Sequence, residues 1–72
     1  MSLVYRRVDM LLSAGAGGEV HEGDMLIVET GEAPAGGELV LVRDGGVESL
    51  RRWEGGPAGG VTGIVVGIRR RP

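Results

Sequence analysis

Apolar residues along this chain come in five short runs, and glycine-rich stretches separate them. In the first, Val4, Val8, Met10 and Leu12 share one parity, with Arg6 the exception and Tyr5, Arg7 and Asp9 opposite. That alternation predicts a strand over Val4–Leu12. Met and Leu also suit a helix, but no N-cap residue precedes the segment, and Ser13–Gly18 (SAGAGG) cuts it off as a flexible loop. Glu19–Asp24 leads through a turn at Gly23-Asp24 into Met25–Glu29, an apolar run suited to a strand buried on both faces. Thr30–Gly37, with Pro34 among its glycines, is a connecting loop. Glu38–Arg43 then alternates, with Leu39 and Leu41 on one side and Val40 and Val42 on the other. Asp44-Gly45 is the strongest local signal, because it tolerates the positive φ angles of a tight hairpin turn. Val47–Trp53 returns antiparallel, and Glu54–Gly60, with Pro57, forms the next loop. Val61–Arg71 is the final strand, where Gly63 and Gly67 predict bulges or close backbone approach. No helix longer than a turn is expected. The fold class is mostly β, with about five short antiparallel strands.

Composition narrows the class further. Seventy-two residues make a single domain, 1–72, and a chain so short buries only roughly 60% of its unfolded surface. The usual staples are missing: there is no cysteine, and one histidine, His21, cannot supply a metal site unaided. Oligomerisation remains as the stabilising device and is expected here. The fifteen glycines sit between or inside β-branched runs, so they punctuate strands rather than form a disordered linker. The net charge of −2 gives no basic footprint for nucleic acid, and the Arg69, Arg70 and Arg71 cluster reads as a solvated tail. No apolar stretch approaches the roughly 20 residues of a membrane helix, and no secretory leader pattern opens the chain. A cytoplasmic location is the expectation. Met1, Ser2 and Leu3 are compatible with a vector-derived scar.

Four motifs, taken in order, carry a family resemblance: Glu22–Val28 (EGDMLIV), Glu38–Val42 (ELVLV), Ser49–Trp53 (SLRRW) and Gly63–Arg70 (GIVVGIRR). They resemble the C-terminal domain of the LexA/UmuD family of self-cleaving serine/lysine peptidases. The resemblance implies a small β-clip or barrel-like fold. It also implies a nucleophile near Ala14 or Gly15, eight or nine residues before Gly23-Asp24, and a lysine base at Arg51. Neither Ala14 nor Gly15 has a hydroxyl, and the chain contains no lysine. A guanidinium stays protonated and cannot serve as the base, whereas a desolvated amine can. The polar segment that the family carries between its base strand and last strand is reduced here to Glu54–Gly60. The resemblance therefore implies a trimmed domain whose catalytic pair is lost. It further implies a homodimer contact through the closing strand at Gly63, Ile64, Val65, Val66, Gly67 and Ile68, and a place among phage-type or SOS-type regulators. An apolar terminal strand with unpaired backbone groups points to the same contact.

Other candidates are weaker. Ser13 lies one or two residues upstream of the implied nucleophile, and with His21 and Asp9 or Asp24 it could form a triad, although nothing orients the imidazole. A loop serine is the better reading. Ala14-Gly15 and Ala16-Gly17 echo the Ala-Gly bond that the family cleaves in itself, but they fall where the nucleophile loop belongs. Gly15–Gly18 lacks the lysine and the following helix of a phosphate loop, and Asp9, Glu19, Glu22 and Asp24 lack calcium-loop spacing. No cofactor and no metal are expected. Arg51 and Arg52 read first as ordinary exposed strand arginines; the functional alternative is that Arg51 fills a vestigial cleft and pairs with a carboxylate such as Asp24 or Glu48. Arg51, Arg52 and Arg69–Arg71 define a rival nucleic-acid-binding reading. Trp53 is expected to anchor a core or an interface.

Overall fold

The computed structural model describes residues 2–57 and 59–70. Met1, named above in the scar, and Arg71, named in the final strand and the tail, lie outside them. The elements are β1 (Ser2–Arg7), α1 (Met10–Ala14), β2 (Met25–Thr30), β3 (Leu39–Asp44), β4 (Val47–Arg52) and β5 (Val61–Arg69). All strand pairings are antiparallel and form one five-stranded sheet in the order β1-β2-β5-β3-β4. The domain is mostly β, as the alternation predicts.

The first segment departs from expectation. The strand stops at Arg7, and Met10–Ala14 turns into a short helix. Asp9 is its N-cap, in extended geometry, with the side chain accepting a hydrogen bond from the Leu12 amide at 2.8 Å. Val8 and Leu12 share a buried side, as i,i+4 spacing on a helix also allows, while Val4 and Met10 are exposed.

The sheet curls, so its outer strands approach each other. Arg6 on β1 reaches Glu48 on β4, with Nε and Nη2 at 3.0 and 2.8 Å from Oε1. Inside the curl lies the main core of Val8, Leu12, Ala16, Val20, Leu26, Val28, Leu39, Leu41 and Leu50. A smaller core of Val40, Val42, Trp53 and Ile64 covers part of the outer face. Trp53 is therefore a core anchor. β3 is buried on both faces, whereas β2 buries Leu26 and Val28 inward and leaves Met25 and Ile27 half-buried.

Glycine does two distinct jobs. Gly45 and Gly46 are the two residues between β3 and β4, both at positive φ, as the tight hairpin requires. Gly63 admits close approach: a Cβ there would collide with Val28 Cγ1 and lie 3.1 Å from the Glu29 carbonyl oxygen. Register shifts beside both predicted glycines confirm the bulges, one between Leu41 and Val42 opposite Val61–Gly63, the other between Ile27 and Val28 opposite Val65–Gly67.

Candidate interaction edges and the Gly15–Leu50 contact

The loop after α1 packs on β4. A Cβ at Gly15 would stand 3.6 Å from the Leu50 carbonyl oxygen and 3.9 Å from its nitrogen. Leu50 itself is buried in the main core. Side chains alternate along a strand, so Ser49 and Arg51 take the outer face, where Arg51 lines a shallow depression with Val42, Ser49, Gly59 and Gly60. The expected cleft with Arg51 beside Ala14 and Gly15 is thus not formed. The residue that meets this loop is Leu50, one position earlier.

Arg51 is exposed, as an ordinary strand arginine would be, and the alternative pairing with Asp24 or Glu48 does not form. Asp24 is buried, accepts the His21 amide at 2.9 Å, and has Arg70 Nε at 3.5 Å. Glu48 is taken by Arg6 and, at 3.7 Å, by Arg43. Arg51 has no ion pair among the described residues. Its neighbour Arg52 turns the other way and bonds Glu19, with Nε 3.1 Å from Oε2, and the Gly37 carbonyl at 2.9 Å. Arg70 also bonds the Glu19 carbonyl at 3.2 Å, so it ties the end of β5 to the loop rather than trailing in solvent.

Ser13 and His21 are not assembled into a nucleophile and base. Ser13 Oγ donates to the Met10 carbonyl at 2.9 Å, and among the described residues no hydrogen bond joins it to His21. Asp9 is occupied at the helix cap and Asp24 at the turn, so neither orients the imidazole. The glutamate at 48 holds the Arg6 guanidinium above its ordinary range, chiefly through their hydrogen bond, with burial opposing. A raised cation stabilises the fold at every pH below its ordinary value and loses that contribution only as pH climbs through the raised one. The Arg6 contribution is therefore constant near neutrality.

The closing strand is not a sheet edge. β5 lies between β2 and β3: its first half, Val61–Ile64, pairs with β3, its second half, Ile64–Arg69, pairs with β2, and Ile64 pairs with both. The premise for the Gly63–Ile68 contact, a terminal strand with unpaired backbone groups, therefore applies to only part of that segment. What survives is partial. β3 pairs with β5 only across Val40–Val42, so among the described residues no strand lies on that side of Val65–Arg69. There a groove is lined by Glu19, Leu39, Arg52 and Val65–Ile68, with Val66 and Ile68 exposed.

Sequence reasoning missed the more open edge. Among the described residues β1 pairs only with β2, and Leu3, Val4 and Tyr5 are 56%, 46% and 70% exposed, covering both faces of the strand. The available signal was Tyr5, a large ring placed on the polar parity. The opposite outer strand, β4, is shielded by α1 and the Gly15 loop. Among the described residues no helix is long and apolar enough to cross a membrane, and no cluster of three or more acidic, histidine or cysteine residues could hold a metal. In comparisons with known proteins, no family model, no curated protein and no solved structure matches the chain.

Proposed function

We propose that this domain is a non-catalytic, LexA/UmuD-like module that works by associating with a second copy of itself in a regulatory, cytoplasmic setting. The observation that carries the reading is the undefended outer edge of β1. Natural sheets blunt such edges with proline, bulges, short length or charge. β1 has no proline or bulge over its six residues, and its open half exposes only Ser2 and three large apolar side chains. The family part of the proposal rests on the four motifs, which form β2 to β5 in the expected order, and on the small-residue loop that lies against β4. Arg51, the position of the implied base, takes the opposite face from this loop, and the loop meets the Leu50 backbone instead, which supports a domain without catalysis.

Sedimentation of the purified chain over a concentration series tests the proposal. A reversible monomer–dimer equilibrium is expected, weak because one strand edge buries less than the roughly 1,200 Å² of a standard interface. A strict monomer at millimolar concentration overturns it. Labelling with a fluorophosphonate probe is expected to leave Ser13 unmodified, and an adduct on Ser13 would return the domain to the hydrolases.

A further inference from the structure

We infer that the second copy binds along β1 in one particular register, antiparallel and centred on Val4, so that two sheets become one. This rests on the self-association proposed above and specifies its surface. Backbone direction carries the argument. Val8 sends both its polar groups toward β2: its N–H donates to the Asp24 carbonyl at 2.9 Å, and its C=O accepts from the Gly23 amide at 2.8 Å. Backbone groups alternate sides along an extended strand. Arg6, Val4 and Ser2 therefore also face β2, and Leu3, Tyr5 and Arg7 present their N–H and C=O outward. The Arg7 carbonyl is already engaged by the guanidinium of Arg6, as an outward-facing group would be.

A two-fold axis perpendicular to the sheet keeps each face continuous, so opposed residues must have the same parity. Four registers meet that condition near the strand centre, and centring on Leu3 is the poorest, because it overlaps fewest residues of the strand and leaves Tyr5 beyond its copy's Ser2. Centring on Arg6 stacks Arg6 on Arg6 of the second copy, a like-charge pair. Centring on Tyr5 requires the Arg7 carbonyl, which is occupied. Centring on Val4 uses only Leu3 and Tyr5. Leu3 of each chain then exchanges both backbone hydrogen bonds with Tyr5 of the other. Leu3 and Tyr5 side chains meet on the outer face, Val4 meets Val4 on the inner face, and Arg6 lies opposite Ser2. All three exposed apolar side chains of the strand gain a cross-strand partner. The tie from Arg6 to Glu48 closes the other half of β1 against β4, so the open half is the half this register uses.

The absence of cysteine makes the register directly readable. In this arrangement Val4 and its copy form a non-hydrogen-bonded pair with Cα atoms about 4.5 Å apart, within disulfide range. Mild oxidation of Val4→Cys is expected to give a covalent dimer, while Val66→Cys, on the β5 groove, is expected to form no disulfide under the same conditions. Tyr5→Pro deletes an outward N–H that β2 does not use, so the fold persists by Trp53 emission and self-association weakens at least tenfold. Leu3→Pro repeats the test should Tyr5→Pro fail to fold. A dimer by sedimentation that forms no Val4→Cys disulfide, or that survives both proline variants, overturns this register and leaves the self-association reading standing. A strict monomer removes both.

Discussion

Placing a methyl group at Gly63 should damage this fold more than the size of the change suggests. The new Cβ would penetrate Val28 Cγ1 and press on the Glu29 carbonyl at 3.1 Å, with Thr30 Cγ2 at 3.7 Å behind it. Val28 is buried in the main core and Glu29 belongs to the paired β2 backbone, so neither can retreat freely. Overpacking of this kind costs about 1–3 kcal/mol. Replacing a strand-interior glycine returns about 0.5–1 kcal/mol, because glycine loses more chain freedom on folding. The overlap with both a core side chain and a backbone carbonyl puts the overpacking cost in the upper part of its range, about 2–3 kcal/mol. The net expectation for Gly63→Ala is therefore a loss of about 1–2.5 kcal/mol, which in a domain of this size lowers Tm by about 4–20 °C. Trp53, the only tryptophan and a buried one, reports unfolding by its emission in heat or urea. Val28→Ala alone removes two methyl groups, at about 0.8 kcal/mol each, plus a cavity contribution. Combined with Gly63→Ala it also removes the atom that clashes. The double variant should therefore be less destabilised than the sum of the singles by about 1 kcal/mol. A Gly63→Ala protein within about 0.5 kcal/mol of wild type, or strict additivity with Val28→Ala, refutes the close approach of β5 to β2.

Gly15→Ala should be neutral or stabilising by about 0.4–1 kcal/mol, because its φ of −82° is ordinary and its Cβ meets Leu50 at normal contact distance; a urea midpoint decides it. Asp9→Ala should cost about 1 kcal/mol by orphaning the Leu12 amide, and Asp9→Asn should restore most of it in the same assay. Glu48→Gln weakens the tie between β1 and β4. It should lower Tm slightly at low salt, by an amount that shrinks in roughly 1 M NaCl, where screening reaches about 3 Å. A difference independent of salt would deny that tie its ionic character.

Hydrophobic patterning made most of the strands legible: Leu39 to Val42 and the return from Val47 fold as read, and the run after Gly23-Asp24 is the expected strand, although it buries one face fully and the other only in part. Val4–Leu12 was ambiguous for a physical reason. Val8 and Leu12 share a face at period two and also at i,i+4, and the deciding group is Asp9, a cap that sits inside the segment rather than before it. Gly63 and Gly67 announced their bulges, because close backbone approach leaves no other residue type. Strand order was not legible. That β5 enters between β2 and β3 follows from long-range pairing, which its last position in the chain did not reveal. The same limit applies to the site. Arg51 and Arg52 are equivalent in sequence, and only the burial of Leu50 sends Arg52 to Glu19 and Arg51 to the outer face.

Residue-resolved amide exchange of the unmodified chain over a concentration series tests most directly whether β1 is a working edge. The Val4 and Arg6 amides, directed at β2, should be protected at every concentration. The Leu3 and Tyr5 amides should exchange freely when dilute and become protected together as the second copy binds. Protection that instead appears across Val65–Arg69, or Leu3 and Tyr5 amides that stay open at every concentration, would contradict the account.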